Sequence, residues 1–497
     1  MKKLRKISAY LICMILTLAI VQIPVFAQEN IVEGKQKIYV EGKDWGPAIT
    51  KTIIEFNEVI NADSVSKEDF KVIEEKNASS SERKVLDAYT SNDQGYKTAE
   101  NAYYVTIEMY VSPKEGSPFV YKSFNEWCES YKLNITLNDG QNLMSGDTQI
   151  TALNIDSEID IDGDGRICPQ LDGFDMRSFT ASDGKTLSYG AWTPEEDNQK
   201  NPLIIWLHGA GEGGTDPSIS ILGNRVTGLI GESTQTSMGG AYVLVPQTPT
   251  AWMDGYDYLQ AGGNSIYSLA LMELIENYVN SHTDIDSNRI YIGGCSNGGY
   301  MTLEMLTLYP DYFAAAYSIC TGYSSVTMSD ENLEKIKDIP IWFVYALNDP
   351  YSIADQFSQP LINRLKALEA KNIHVSEFED VHDTSESYWG DPENPNILVD
   401  YESGVPYQYN GHWSWVYAFN NECYDENDNS LELFSWLSKQ TKAASIVQEE
   451  PEQTTEIKKE DVSIQSVKTG DNSLYSTYAF IMMLAMGGLI ILKEKYA

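Results

Sequence analysis

Ser296 occupies the centre of the pentapeptide G-C-S-N-G at 294–298, between an apolar run at 290–292 and a helix-forming run at 300–308. A serine hydroxyl becomes an effective nucleophile when a base takes its proton and hydrogen-bond donors stabilise the oxyanion that forms on the attacked carbonyl. A strand, the pattern G-x-S-x-G and a helix, in that order, are the setting in which this pentapeptide carries a nucleophile. The sequence therefore predicts Ser296 as the nucleophile of an acyl-transfer reaction. A chance glycine-rich turn is the alternative.

A second glycine-rich sequence, LHGAGEGG at 207–214, directly follows an earlier apolar run. Backbone N–H groups in such a loop can donate to the carbonyl oxygen of a substrate bound at the nucleophile. We expect the N–H groups of Ala210 and Asn297 to form this oxyanion hole. A phosphate-binding loop is disfavoured because neither a Lys-Ser/Thr pair nor a dinucleotide-binding spacing follows.

An acid and a histidine must complete the site, and they are expected after the serine in that order. Asp349, in ALNDP directly after a late apolar run, is the favoured acid, with Asp380 and Asp383 as rivals one strand later. Of the five histidines, one belongs to the oxyanion loop, one precedes the nucleophile strand and one lies within the last strand, namely His208, His282 and His374, which leaves His382 and His412. We favour His412, in NGHWSW shortly before a closing helical run, because two acids flank His382 in a solvated loop.

The elements that must position these residues lie at 172–441, where apolar runs alternate with helical patterns. This alternation predicts a mainly parallel sheet flanked by helices, and uninterrupted apolar runs indicate strands buried on both faces. An apolar stripe from Ile266 to Tyr278 predicts a helix at 266–279. The predicted strands are 186–192, 203–207, 242–245, 290–292, 313–319, 341–345 and 374–378.

Residues 34–156 contain short runs of alternating apolar and polar residues, separated by turn-forming stretches such as SNDQG at 91–95. Such alternation is typical of half-buried antiparallel strands and predicts a small all-β sandwich ahead of the larger domain. The predicted strands are 38–40, 53–56, 70–72, 103–111 and 131–137.

A short acidic segment, DIDGDG at 160–165, resembles the start of a calcium-binding loop. Alternating carboxylates wrap a hard cation, which makes Asp160, Asp162 and Asp164 weak calcium candidates. The twelfth position of such a loop would be Leu171, which cannot supply the closing carboxylate. An acidic turn between domains is the alternative.

The two ends of the chain predict export and retention at the cell surface. Basic residues, an apolar run and small residues at the cleavage position predict a signal peptide at 1–27, with a permanent membrane helix as the alternative. Residues 442–470 read as a flexible stalk, and the apolar segment at 471–497 ends in lysines. The SVKTG sequence at 466–470 resembles a sortase signal but departs from the usual pattern at Ser466 and Val467, so plain membrane anchoring is the alternative.

The charge of the chain disfavours one class of partner, and its cysteine count argues against a complete set of disulfides. A formal net charge of −37 excludes the basic footprint that phosphate binding needs, so no nucleic-acid partner is expected. Five cysteines follow the signal peptide, an odd number that does not form a complete disulfide framework. Cys295 and Cys320 lie at the ends of neighbouring predicted strands and could pair, although buried free thiols are equally consistent.

The motifs LHGAGEGG, YIGGCSNGGYMT, ALNDP and GHWSW together resemble the α/β-hydrolase esterases related to polyhydroxybutyrate depolymerases and feruloyl esterases. The stretch DWGPAITK at 44–51 resembles the immunoglobulin-like domain that precedes the hydrolase in some of them. This resemblance implies carboxylic ester hydrolysis without a metal or organic cofactor, with Ser296, Asp349 and His412 as the triad. It also implies, more weakly, that Gln247, Trp252 and Trp413 contact substrate.

Two other functions remain open at this point. A serine peptidase of the prolyl-oligopeptidase kind shares the fold and the triad, although such enzymes usually carry a propeller larger than residues 34–155 can form. A non-enzymatic surface module that binds glycans is the second. We expect an ester substrate from an external polymer, and expect residues 383–411 to select its acyl group.

Overall fold

The computed structural model describes residues 30–161, 163–255 and 264–442. The predicted signal peptide, nearly all of the predicted stalk and the predicted C-terminal segment lie outside these residues. The described chain forms two compact units. The first contains residues up to Glu41, Ala48–Pro118 and Cys128–Cys168, and the second contains Gly42–Pro47, Phe119–Trp127 and the chain from Pro169 onward. The predicted boundaries at 34–156 and 172–441 stay predictions, since neither unit is one continuous segment.

The first unit contains two main sheets, as the alternating sequence pattern predicts. One follows the order β12-β1-β2-β6-β5, with β13 paired to β1, and the other follows β4-β3-β9. Buried apolar residues such as Ile54, Val72, Val105 and Leu133 form its core. The strands of this part of the chain are β1 Ile31–Lys43, β2 Gly46–Ile60, β3 Phe70–Lys76, β4 Ser79–Arg83, β5 Val85–Ser91, β6 Ala102–Met109, β7 Phe119–Tyr121, β8 Asn125–Trp127, β9 Tyr131–Leu137, β10 Met144–Ser145, β11 Thr148–Gln149, β12 Ala152–Ile155 and β13 Arg166–Ile167.

An eight-stranded sheet forms the centre of the second unit, in the order β14-β15-β17-β16-β18-β19-β20-β21. Strand β15 runs antiparallel to both of its neighbours, and all the following pairs are parallel. The eight strands are β14 Phe174–Thr180, β15 Thr186–Trp192, β16 Asn201–Leu207, β17 Tyr242–Gln247, β18 Ile285–Cys295, β19 Ala315–Ile319, β20 Ile341–Ala346 and β21 Ile373–Phe378. This order and direction are those of the α/β-hydrolase fold, as predicted.

Helices pack against this sheet, and a three-stranded sheet and a strand pair follow its last strand. The helices are α1 Pro217–Leu222, α2 Glu232–Met238, α3 Ser268–Ser281, α4 Asn297–Leu308, α5 Asp330–Ile336, α6 Ser358–Ala367, α7 Trp415–Phe419 and α8 Leu433–Leu437. The later strands are β22 Trp389–Asp391, β23 Asn394–Val399, β24 Val405–Pro406, β25 Tyr424–Asp425 and β26 Asp428–Glu432. Among the described parts of the chain, no helix combines the length and the apolar character that crossing a bilayer requires.

The hydrophobic pattern explains which faces are buried. All seven residues of β16 and all six of β20 are buried, as expected for strands covered on both sides. Helix α3 buries Ala270, Leu274 and Tyr278 and exposes its acidic face. Its predicted start was wrong by two residues, because Ile266 precedes the helix and is 44% exposed.

Helix α4 packs against β18 and β19 and is buried along almost its whole length, including one acidic residue. Glu304 is 2% exposed, and its Oε1 has no hydrogen-bond partner among the described residues. Burial raises the pKa of Glu304 to about 7, and a hydrogen bond from the backbone of Ser265 partly opposes this rise. Ionising Glu304 therefore costs the folded state free energy.

Replacing Glu304 with Gln should make the protein more stable at pH 8 than the wild type, by on the order of 1–3 kcal/mol. In the unfolded chain a glutamate ionises near its ordinary pKa, so wild-type stability falls as pH rises from about 4.5 to about 7. Urea unfolding at pH 5 and pH 8 measures the effect, which should shrink at pH 5. Glu276→Gln, an exposed change on α3, is the control. An equal difference at both pH values would contradict the expectation.

Candidate active site

Ser296 lies in a sharp turn between the end of β18 at Cys295 and the start of α4 at Asn297. Its backbone has φ +55° and ψ −112°, a strained conformation for a residue with a side chain. The Ser296 N–H donates to the carbonyl oxygen of Ile319 at 2.9 Å, and the Gly322 N–H donates to the Ser296 carbonyl oxygen at 2.8 Å. Ser296 is partly exposed, whereas the residues on either side of it are buried.

The two glycines of the pentapeptide are required by a close backbone approach. A Cβ atom would lie 2.5 Å from the carbonyl oxygen of Leu207 at Gly294, and 2.0 Å from the same oxygen at Gly298. Neither glycine is among the residues with positive φ. The elbow therefore needs glycine because the end of β16 lies directly against it.

Asp349 and His412 form the pair that the sequence predicts. Asp349 follows β20 and is 3% exposed, and its Oδ1 accepts hydrogen bonds from the N–H groups of Tyr351 at 2.8 Å and Ser352 at 3.0 Å. The Nδ1 of His412 lies 2.8 Å from Asp349 Oδ2, and the His412 side chain is 12% exposed. A carboxylate in this position fixes the ring and the tautomer, which leaves Nε2 as the proton acceptor.

The rival residues have other partners. His382 pairs with Asp380 at 2.7 Å and with the Tyr417 hydroxyl at 3.1 Å, and its side chain is 41% exposed. Asp383 is buried and accepts hydrogen bonds from the Ser387 N–H and from the Tyr409 hydroxyl. The structure thus places Asp349 with His412, and uses Asp383 to hold the loop that follows it.

The predicted oxyanion loop leaves β16 at Leu207 and forms a short 3-10 turn at Ala210–Glu212. His208 is fully buried, with Nδ1 2.6 Å from the Gly209 carbonyl oxygen and Nε2 3.2 Å from the N–H of Thr248. Burial lowers the pKa of His208 to about 4, so the ring is neutral and braces the loop. On the other side, Asn297 is the first residue of α4, and the first N–H groups of a helix have no partner within the helix.

The three residues expected to contact substrate differ in how far they are buried. Gln247 is fully buried and donates through Nε2 to the Glu212 carbonyl oxygen at 2.9 Å. Trp252 is also fully buried, and its backbone N–H donates to Asn297 Oδ1 at 2.6 Å. Trp413 is half-buried beside Tyr409. The first two support the loop and the helix start, and the substrate contacts of all three stay predictions.

The described cysteines are free thiols, and the acidic segment at 160–165 forms a turn. All five described cysteines are buried free thiols, so Cys295 and Cys320 are not paired, and burial raises the pKa of both. In the acidic segment, the N–H groups of Gly163 and Gly165 donate to the Asp160 carbonyl oxygen and form a tight turn. Asp162 lies outside the described residues, so calcium binding there stays a prediction.

The sequence analysis did not identify two residues near the site. Glu212 is 6% exposed inside the oxyanion loop, and its Oε1 accepts a hydrogen bond from the Asn125 amide at 3.0 Å. The ring of Tyr351 stands edge-on to His412, with centroids 5.2 Å apart. The signal available for Glu212 was its place inside the predicted oxyanion loop, where it is the one acid of GAGEGG.

Two protein families and several known proteins match parts of this chain. Residues 36–153 match the family described as esterase Ig-like N-terminal domain, and residues 255–343 match the prolyl oligopeptidase family. A poly(3-hydroxyalkanoate) depolymerase C of Paucimonas lemoignei is 28% identical over 132 residues, which cover 24% of this chain and 28% of that protein. Feruloyl esterase B of Neurospora crassa is 32% identical over 135 residues, which cover 26% of this chain and 42% of that protein. The chain thus spans less than half the length of these relatives.

A solved structure extends the likeness over most of the chain. The crystal structure of a thermostable esterase matches with a TM-score of 0.61 and 23% identity, over 82% of this chain and 99% of that one. Together with the strand order and the elbow, this match shows that the second unit has the α/β-hydrolase fold. The chain therefore combines a domain that matches the esterase Ig-like N-terminal family with an α/β-hydrolase fold, which confirms the predicted resemblance.

Replacing Gly298 with Ala should destabilise the protein by about 3 kcal/mol, because the new methyl group would meet the Leu207 carbonyl oxygen. Gly184→Ala is the matched control. Gly184 has φ +82° with no atom within 4 Å of a built Cβ, so only backbone strain of about 1 kcal/mol applies. Urea unfolding of both variants tests the claim. Equal losses would show that the close approach at Gly298 has no energetic consequence.

Proposed function

We propose that the protein is a serine carboxylesterase in which Ser296 is the nucleophile, His412 the general base and Asp349 the acid that orients it. The observation that carries this proposal is the 2.8 Å pair between Asp349 and His412, formed after β20 and β21 on the sheet that carries Ser296 after β18. Since the carboxyl ends of parallel strands meet at one edge, the three groups share that edge.

The reaction follows from the roles of these groups. Nε2 of His412 takes the proton of Ser296 Oγ as Oγ attacks the ester carbonyl, and the N–H groups of Ala210 and Asn297 donate to the oxyanion. The tetrahedral intermediate collapses, and the alcohol leaves with the proton from His412. Water then attacks the acyl-enzyme, with His412 again as base, and releases the acid and free Ser296. Asp349 stabilises the charged imidazole in both steps.

The substrate is proposed to be an ester of an external polymer or its fragments, acted on at the cell surface. The relatives named as a poly(3-hydroxyalkanoate) depolymerase and a feruloyl esterase support the ester class of substrate. The sequence patterns at the two ends of the chain support export and anchoring by a sortase or by the membrane. A panel of feruloyl, acetyl and hydroxybutyrate esters would rank the acyl groups.

A serine peptidase is the second candidate, because residues 255–343 match the prolyl oligopeptidase family. The match of residues 36–153 to an esterase domain favours the first candidate. Proline-containing peptides assayed beside the esters separate the two: efficient peptide cleavage with negligible ester hydrolysis would replace the esterase proposal.

Replacing Ser296 with Ala should abolish hydrolysis of a short p-nitrophenyl ester and labelling by a fluorophosphonate probe, with a loss on the order of 10³-fold or more. The variant lacks the oxygen that forms the acyl-enzyme, and the loss of one hydroxyl group should not change the fold. His382→Ala should retain activity, since His382 is paired with Asp380. A wild-type chain that the probe does not label would favour a non-enzymatic surface module.

A matched pair of aspartates tests the acid. Asp349 and Asp380 each bind a histidine Nδ1, at 2.8 and 2.7 Å. Asp349→Asn should lower kcat on the order of 10³ to 10⁴-fold, because the amide no longer holds the productive tautomer of His412. Asp380→Asn should leave kcat within about twofold. The reverse ranking would assign the catalytic pair to Asp380 and His382.

A further inference from the structure

Glu212 is a buried acid within the proposed oxyanion loop, and a side-chain amide holds its carboxyl group. The Asn125 amide donates to Oε1 at 3.0 Å, and the groups of Asn224 and Gly209 also favour the charged form of the carboxyl group. A built Cβ on Gly209 would lie 3.0 Å from Glu212 Oε2, which shows how closely the side chain folds back on its own loop. Polar neighbours of a buried carboxyl group offset part of the cost of burying it.

Two backbone carbonyl groups of the same loop are also held by buried side chains. The Glu212 carbonyl oxygen accepts from Gln247 at 2.9 Å, and the Gly209 carbonyl oxygen lies 2.6 Å from Nδ1 of His208. Ala210, whose N–H is proposed to meet the substrate oxygen, lies between these two fixed points. An oxyanion donor must stand about 2.7–3.1 Å from the place where charge develops, so the orientation of this peptide group matters.

Asn125 comes from the β-hairpin formed by β7 and β8, which belongs to the same compact unit as the loop. Trp127 Nε1 donates to Ser218 Oγ at 3.0 Å, and a built Cβ on Gly213 would lie 2.9 Å from the ring of Phe124. The hairpin therefore contacts the loop at Gly213 and the following helix α1 at Ser218, and its Asn125 amide reaches Glu212 beside these contacts.

We propose that Glu212 is a positioning residue of the esterase site: its carboxyl group, held by Asn125, fixes the loop that directs the Ala210 N–H at the substrate oxygen. This role rests on the proposed function, and Glu212 itself touches no reacting atom. Asn125 acts through Glu212, so loss of its amide has the smaller effect.

The charge state of Glu212 supplies a readout that a purely structural residue would not give. Burial raises its pKa to about 7, and the hydrogen bonds from Asn125 and Asn224 partly oppose the rise. The titratable groups that interact with it are His412, Cys295 on β18 and Tyr121 on the hairpin. The carboxylate accepts the hydrogen bond from Asn125, whereas protonation turns one acceptor oxygen into a donor. Activity should therefore fall as pH drops through about 7.

The test measures kcat and KM for a short p-nitrophenyl ester from pH 5 to pH 9, using the full chain. Glu212→Gln should lower kcat on the order of 10-fold with KM nearly unchanged, and its kcat profile should lose one ionisation near neutrality. Glu212→Ala should lower kcat on the order of 10² to 10³-fold, the loss typical of an oxyanion donor. Glu212→Gln keeps the shape of the side chain and carries the test if Glu212→Ala does not fold.

Asn125→Ala should lower kcat on the order of 10-fold, and Asn134→Ala is its matched control. Asn134 donates to Glu75 at the same 3.0 Å in the first unit, so its loss should leave kcat unchanged. Glu212→Gln with wild-type kcat and pH profile would overturn the proposal, and so would a raised KM with unchanged kcat. An inactive wild-type chain would instead overturn the proposed function itself, and with it this proposal.

Discussion

The carbonyl oxygen of Leu207 lies against the nucleophile elbow, and the geometry of the site depends on this approach. Strands β16 and β18 are hydrogen-bonded neighbours in register from Leu203 with Ile290 to Leu207 with Gly294. Their ends therefore emerge side by side, one into the loop that carries Ala210 and the other into Ser296. A Cβ at Gly294 or Gly298 would collide with the end of β16, so glycine is what lets the two loops lie this close together.

A similarly close approach between two loops positions His412. A Cβ at Gly411 would lie 2.1 Å from Asn348 Oδ1, so the loop before His412 lies directly against the loop that carries Asp349. Hydrogen bonds from Tyr351 and Ser352 then fix the aspartate. Close contacts between neighbouring loops thus help to set the positions of the serine, the acid and the histidine. Loops held in this way reach the precision that catalysis needs while remaining at the surface.

Much of this could be predicted from local sequence. The central strands are uninterrupted apolar runs, and the elbow, ALNDP and the histidine in NGHWSW each lie within a few residues of the strand or helix that positions them. The contact between Asn125 and Glu212 joins residues 87 positions apart, and Asn125 lies in a region whose alternation indicates only a β-rich domain. Whether Cys295 and Cys320 pair was also beyond the sequence, since spacing along the chain does not determine whether two thiols face each other. The start of α3 was misplaced because Ile266 continues the apolar period without being buried.

The compact units do not follow the linear order of the chain, and this has a consequence for how such a protein can change over generations. The hairpin Phe119–Trp127 is encoded inside the segment that matches the immunoglobulin-like family, yet it packs as part of the hydrolase unit. A gene fusion that replaced everything before β14 with another β-sandwich would also remove Asn125. We therefore expect the segment before β14 and the hydrolase unit to be inherited together, and substitutions in the hairpin to be matched by substitutions in the loop that it contacts.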